Sequence, residues 1–277
     1  MTDRYAVIGN PIAHTKSPLI HGLFAKTARQ DMVYTAIEGP VESEHGFEDM
    51  VLGFRDGGGR GMNVTAPFKL RAFRMADACS ERAAMAGAAN ALRFGPDRIE
   101  AENFDGIGLL RDIEVNLGLL LVGKRVLLLG AGGAARGALL PFLAAGPSLL
   151  VVVNRDVKKA AALVSQAGAK GALEARGYGD LEHMGRFDLV VNATSASLTG
   201  DLPPVPPSVF ASDGTAYELT YGKGLTPFLR LARNAGVRGL ADGVGMLVEQ
   251  AAEAFAWWRG VRPQTAMVID GLTIPLT

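Results

Sequence analysis

The chain has a single cysteine, Cys79, in 277 residues. An intrachain disulfide is therefore impossible, and nothing suggests a secreted disulfide framework. Net charge is absent too: 28 basic residues balance 28 acidic ones, so no global field steers the chain toward nucleic acid or a membrane surface. No apolar run reaches spanning length, because Lys124 and Arg125 interrupt the longest candidate. The four histidines lack other ligands at suitable spacing, so no metal is expected. The first residues show neither the basic nor the long apolar region of a signal peptide. These absences predict a soluble, cytoplasmic chain whose partner is a small molecule.

Glycine, by contrast, is abundant: 35 residues, which suits tight turns and close helix–sheet packing. The informative cluster is Arg125-Val-Leu-Leu-Leu-Gly130-Ala131-Gly132-Gly133-Ala134-Ala135-Arg136. An apolar run breaks into glycines and resumes as a helical pattern over 137–145, which reads as a buried parallel strand, a turn and a helix start. Gly130 permits the turn, Gly132 lets the backbone approach a pyrophosphate, and Ala135 lets the helix pack closely. The helix start offers unpaired N–H groups and a positive dipole end to phosphate. The same glycines also fit a tight turn in any α/β protein. The following strand sharpens the reading. It ends in Asn154-Arg155, where an NAD site usually places an acid for the ribose hydroxyl. Arginine cannot accept from a hydroxyl, but its guanidinium matches a 2′-phosphate, with Lys158 and Lys159 close behind. The expected cofactor is NADP(H). Asp156 opposes this unless its carboxylate points away.

Two α/β halves are expected. The first alternates strands at 5–8, 33–37 and 61–65 with helices opening at Ser17-Pro18, over 42–56 and over 68–75. A helix at 84–91 and a strand pair at 91–94 and 98–101 complete it. Ser17 makes a good N-cap, and Pro18 fits the first helical position. A helix from Asp105 to about Leu119 leads to strands at 126–129, 149–153, 189–192, 215–219 and 237–240, and an amphipathic helix occupies 245–258. The proline-rich stretch 201–207 reads as a surface loop, and Trp257-Trp258 as packing.

The first half supplies a polar constellation. Asn63-Val-Thr65-Ala-Pro-Phe-Lys69 clusters an amide, a hydroxyl and an amine, and Asn90, Asn103 and Asp105 lie at later strand ends. In a parallel sheet such exits face one edge and converge. These groups suit a polyhydroxylated ligand, and Thr15 with Ser17 at a helix start suits a carboxylate. Each also has a plainer reading: Ser17 as a helix start, Asn63 and Asn90 as turn residues, Lys69 as an exposed amine, Asp105 as a cap.

Taken together, these segments resemble the shikimate dehydrogenase family nearly end to end. The resemblance is carried by Tyr5-Ala-Val-Ile-Gly-Asn-Pro-Ile-Ala-His-Thr15-Lys-Ser17-Pro-Leu-Ile-His, by the Asn63–Lys69 stretch, and by Ala86-Gly-Ala-Ala-Asn90 and Asn103-Phe-Asp105-Gly. Gly130-Ala-Gly-Gly-Ala, Asn154-Arg155, Asn192-Ala-Thr194-Ser195 and Ala241-Asp-Gly243-Val-Gly-Met246-Leu-Val-Glu-Gln250 complete it. It implies a substrate domain with a mainly parallel sheet (1–104 and 244–277) and a Rossmann-type NADP-binding domain (105–243). The implied reaction is reversible reduction of 3-dehydroshikimate to shikimate, with Lys69 as acid/base and Asp105 orienting it. Thr15 and Ser17 would hold the carboxylate, and Asn63, Thr65, Asn90, Tyr221 and Gln250 the rest of the ring. Gly130, Ala131, Gly132, Gly133 and Ala134 would bind pyrophosphate. Asn154, Arg155 and Lys159 would take the adenosine phosphate, with Asn192, Thr194, Gly243 and Met246 completing the cofactor site. Monomer or homodimer is expected.

The sequence departs from the family pattern at Thr15 and Asp156, at Ala91 and Phe104 where threonine is usual, and at Glu102 and Glu218 where aspartate is usual. A quinate or aminoshikimate dehydrogenase therefore stands as an alternative, and a non-enzymatic NADP(H)-binding regulator as another. The extra methyl of Thr15 crowds a C1 hydroxyl, which argues against quinate. The retained Lys69–Asp105 pair argues against a mere sensor.

Overall fold

A computed structural model describes residues 2–168 and 173–277. The first ten elements alternate as β1 (Asp3–Gly9), α1 (Ser17–Thr27), β2 (Met32–Glu38), α2 (Gly46–Asp56), β3 (Gly59–Val64), α3 (Lys69–Met75), β4 (Ala78–Cys79), α4 (Glu81–Ala86), β5 (Ala91–Phe94) and β6 (Ile99–Glu102). Helix α5 (Asp105–Arg111) runs into one π turn over Asp112–Asn116. There follow β7 (Arg125–Leu129), α6 (Gly133–Ala144), β8 (Leu149–Val153), α7 (Val157–Ala167), β9 (Leu173–Arg176), β10 (Phe187–Asn192), α8 (Ala196–Thr199), β11 (Phe210–Glu218), α9 (Pro227–Asn234), β12 (Gly239–Asp242), α10 (Val244–Arg259) and α11 (Ala266–Leu272). The chain forms two compact units. One takes the residues up to Gly108 with Val248–Asp270, the other Leu109–Leu247 with Gly271–Thr277. No helix among the described residues is long and apolar enough to cross a membrane.

The first unit holds a six-stranded sheet in the order β2-β1-β3-β5-β6-β4. Ala6, Ile8, Met62, Val64 and Leu92 from its strands meet Phe47, Val51 and Phe68 from the helical layer. Trp258 of α10 stacks on Tyr5 at 4.8 Å and donates Nε1–H to the Leu92 carbonyl at 3.0 Å, so the Trp pair packs as expected. The sheet is not parallel where the polar residues gather. β3 pairs antiparallel with β5, Asn63 facing Ala91, and β5 pairs antiparallel with β6, Ala91 facing Glu102. Two reversals thus put the end of β3, the start of β5 and the end of β6 side by side. β3 and β6 therefore run the same way and their exits share one edge, as expected, while Asn90 joins them from the start of the antiparallel β5.

The second unit is a wholly parallel six-stranded sheet, β12-β11-β10-β7-β8-β9. Both faces are covered, so Val126–Leu129 and Leu150–Val153 are entirely buried, which is why these strands read as unbroken apolar runs. Strand order reverses between β7 and β10, and Leu129 faces Asn192 at their carboxyl ends. Ligands of such sheets bind at that switch point.

Candidate active site

In the first unit the polar side chains form one connected row. Lys69 Nζ donates to Asp105 Oδ2 at 2.6 Å, with the two side chains 32% and 17% exposed. Asn90 Nδ2 donates to the other carboxylate oxygen of Asp105 at 2.7 Å and to Gln250 Oε1 at 3.2 Å. Asn63 Nδ2 donates to the Asn90 carbonyl at 3.0 Å, and Tyr34 donates its phenol hydrogen to Asn63 Oδ1 at 2.6 Å. Burial pushes the Tyr34 phenol pKa up, and Ser17 opposes that shift. Thr15 completes the row, with Oγ1 donating to Ser17 Oγ at 3.2 Å. Thr65 sits half-buried at the exit of β3.

Local structure explains the arrangement. Ser17 is not the N-cap expected of it. Lys16 occupies that position, and no side chain caps α1. Instead the Ser17 N–H donates to Thr15 Oγ1 at 3.3 Å, which leaves the Ser17 hydroxyl outside helix capping. Asp105 begins α5, and its N–H is taken by Asn103 Oδ1 at 3.1 Å, so its carboxylate is not consumed as a cap. Gln250 approaches closely because residue 108 is glycine. A Cβ on Gly108 would lie 2.6 Å from the Gln250 nitrogen.

Tyr34 escaped sequence reasoning because an isolated tyrosine on an edge strand carries no motif. Beneath it lies His21, fully buried and stacked on the phenol at 4.1 Å with an interplanar angle of 6°. Burial drives the imidazole pKa down to about 3, against a smaller opposing effect from Asn63.

In the second unit a cleft of about 640 Å³ opens at the switch point. Its lining includes Gly130, Ala131, Gly132, Gly133, Asn154, Arg155 and Thr194. Gly130 adopts φ +109°, and a Cβ there would press on the Ala193 carbonyl at 3.0 Å. At Gly132 and Gly133 a Cβ would meet nothing within 4 Å. The start of α6 is thus bare, with no side chain capping it, and its free N–H groups suit a pyrophosphate. Asp156 does not oppose a phosphate at Arg155. Its carboxylate caps α7 by accepting from the Lys158 N–H at 3.1 Å.

Not every expected cofactor residue lines this cleft. Asn192 is fully buried behind Thr194, accepting its N–H and hydroxyl hydrogens at 3.2 and 2.7 Å. Lys159 is exposed on α7. Gly243 packs on the end of β11, where a Cβ would lie 2.1 Å from the Leu219 oxygen. The Met246 N–H donates to the Tyr217 hydroxyl at 3.3 Å. Tyr221 belongs to this unit, in the loop after β11, 42% exposed. Sequence reasoning missed Tyr178 and the 202–204 stretch, which also line the cleft; the proline-rich segment is a cleft wall rather than a plain surface loop.

Three family models match in order along the chain: the shikimate dehydrogenase substrate binding domain at residues 7–92, shikimate / quinate 5-dehydrogenase at 115–199, and the shikimate 5′-dehydrogenase C-terminal domain at 243–268. A shikimate dehydrogenase (NADP(+)) of Nitrosospira multiformis is 54% identical over 272 residues, 98% of each chain. The chain belongs to the shikimate dehydrogenase family. Among solved structures, an Ael1 enzyme from Pseudomonas putida is 66% identical with TM-score 0.96, covering 99% of this chain and 100% of its own. Shikimate 5-dehydrogenase from Thermus thermophilus in complex with NADP(H) and shikimate is 31% identical with TM-score 0.84, covering 98% of each.

Departures from the shikimate dehydrogenase pattern now have physical settings. Ala91 and Phe104 fall in a single apolar cluster with Ala254, against which Trp257 packs, Phe104 meeting the Trp257 ring edge-on at 5.6 Å. Glu102 is a buried strut that accepts from Ser80, from the Asn103 N–H at 2.7 Å and from Arg82 at 2.6 Å. None of these three changes removes a member of the Lys69 row.

Proposed function

We propose that this member of the shikimate dehydrogenase family catalyses the NADP-dependent, reversible reduction of 3-dehydroshikimate to shikimate. The observation that carries the reading is the Lys69–Asp105 pair, 2.6 Å apart and tied through Asn90 to Gln250. Thr15 and Ser17 bind the ring carboxylate. Asn63, Thr65, Asn90, Asp105 and Gln250 receive the ring hydroxyls, with Tyr221 as a further substrate contact.

The bare start of α6 with Gly130–Gly133 holds the pyrophosphate, and Arg155, with Asn154 and Lys159, holds the 2′-phosphate. Asn192 and Thr194 shape the wall of the site, and Gly243 and Met246 border the nicotinamide. When bound, NADPH supplies a hydride to the C3 carbonyl carbon. Lys69 Nζ gives its proton to the oxygen that becomes the C3 hydroxyl, and takes it back in the oxidative direction. Asp105 orients the ammonium through one oxygen, while Asn90 holds the other. The enzyme acts as a soluble cytoplasmic protein, monomeric or homodimeric.

The test is absorbance of NADPH formed from NADP+ with shikimate, with quinate and without substrate. Turnover with shikimate is expected. Turnover with quinate alone makes the chain a quinate dehydrogenase, and cofactor binding with turnover on neither substrate makes it a regulator.

A further inference from the structure

Strands β10 and β11 end in register, Asn192 beside Glu218, and both side chains are fully buried. A glutamate with no exposed surface raises the question of what receives it. Four donors do. Oε2 accepts from Asn192 Nδ2 at 3.0 Å, from Thr226 Oγ1 at 3.1 Å and from Ser197 Oγ, while Oε1 accepts from the Thr220 N–H at 3.3 Å. Ser197 Oγ also accepts from Asn192 Nδ2 at 3.2 Å. Burial pushes the Glu218 carboxyl above its ordinary range, and the four donors oppose that shift.

An ionised carboxylate only accepts hydrogen bonds, so it can face only the NH2 end of the Asn192 amide. The carbonyl end is thereby turned toward Thr194, where it accepts both the N–H and the hydroxyl. Thr194 Oγ1 also accepts from the Ala196 N–H at 3.3 Å. Thr194 and Ala196 line the cleft opposite the glycine turn. The fit there is close: a Cβ on Gly130 would stand 3.0 Å from the Ala193 oxygen and 3.4 Å from Thr194 Cγ2. A shift of this loop would therefore alter the width of the cleft.

We propose that Glu218 is a positioning residue of the NADP(H) cleft, acting through the Asn192 amide to hold the 193–196 loop against the Gly130 turn. The role rests on the cofactor reading above. Its perturbation is Glu218→Gln, which keeps the shape and one acceptor for Asn192, Ser197 and Thr226 but removes the charge they converge on and sets its NH2 against the Thr220 N–H. NADPH affinity, measured by fluorescence titration without substrate, should weaken about ten- to a hundredfold, the scale of a lost hydrogen bond to a charged group. KM for shikimate at saturating NADP+ should change less than NADPH affinity, because on the substrate side Glu218 holds only the Thr220 N–H, next to Tyr221.

Thr194→Val supplies the second arm. If Glu218 works through Thr194, adding Glu218→Gln to Thr194→Val should cost less than Glu218→Gln costs alone. Should Glu218→Gln fail to fold, Ser197→Ala removes a single donor, and a smaller loss of NADPH affinity is expected. A folded Glu218→Gln protein with wild-type affinity overturns the role, as do strictly additive losses with Thr194→Val, or unchanged affinity in Ser197→Ala when that variant has to decide. A wild-type chain that binds no NADPH overturns the cofactor reading itself, a different result from binding that ignores Glu218.

Discussion

Replacing Lys69 tests the chemistry most directly. The ammonium donates to Asp105 at 2.6 Å and is 32% exposed. Its loss therefore costs less stability than the 3–5 kcal/mol typical of a fully buried pair, about 1–2 kcal/mol, since solvent screens part of the attraction. The catalytic loss should be larger. Removing a positioned proton donor costs about a hundred- to ten-thousandfold in rate, or roughly 3–5 kcal/mol of barrier. Lys69→Ala should thus remain folded and lose turnover by that factor. NADPH affinity should be unchanged, because the residues lining the glycine cleft belong to the other unit. Lys69→Arg separates charge from proton transfer: guanidinium keeps the positive charge but does not release a proton at neutral pH. It should stay inactive. The assay is initial rate with shikimate and saturating NADP+, beside a thermal melt and an NADPH titration. Wild-type turnover in Lys69→Arg would reduce Lys69 to an electrostatic role, and wild-type turnover in Lys69→Ala would refute the assignment outright.

The cofactor cleft and the buried histidine provide further checks. Gly133→Ala places its Cβ in open space, so the protein should melt normally yet bind NADPH at least about tenfold more weakly; equal affinity would remove the glycine loop from phosphate binding. Gly130→Ala should instead destabilise the fold by about 1–3 kcal/mol, because φ is +109° and the Ala193 carbonyl is in the way; an unchanged melting temperature contradicts this. Arg155→Gln should lower the preference for NADP+ over NAD+ by about ten- to a hundredfold, and a preserved preference in paired titrations would place the 2′-phosphate elsewhere. His21 is neutral in the fold, its pKa lowered to about 3, whereas the unfolded chain takes up a proton near 6.5. Its contribution is therefore intact above pH 6.5 and is lost as pH falls toward 3, by about 2 kcal/mol at pH 5. Urea midpoints for His21→Phe should fall less than wild type between pH 7 and 5, and parallel falls would show that His21 is not the group responsible.

What could be read from the sequence follows the periodicity of burial. β7 and β8 are apolar on both faces and stood out, as did the glycine turn between β7 and α6. Short β4 and β9 carried too few residues to set a pattern. The polar groups of the site were legible as chemical types, and so was the shared edge of the exits at Asn63 and Asp105, but the antiparallel β5 that brings Asn90 between them is a pairing that no local signal announces. Tyr34 stayed hidden for the same reason: its partner Asn63 is 29 positions away.

Ala91 and Phe104 show how far residue identity can mislead without register. Read singly, they are two lost threonine hydroxyls at the rim of a polar site. The antiparallel pairing of β5 and β6 brings them into one apolar cluster with Ala254, where Phe104 is 4% exposed. What position 104 contributes to the site is its backbone. Its N–H donates to Asn90 Oδ1 at 2.9 Å, which commits the carbonyl end of that amide and leaves Nδ2 to face Asp105 and Gln250. Any residue but proline with that backbone geometry supplies the same N–H. The side chain at 104 is therefore free to vary with its packing partner at 91, while Asn90, Asp105 and Lys69 keep their hydrogen-bonded orientation.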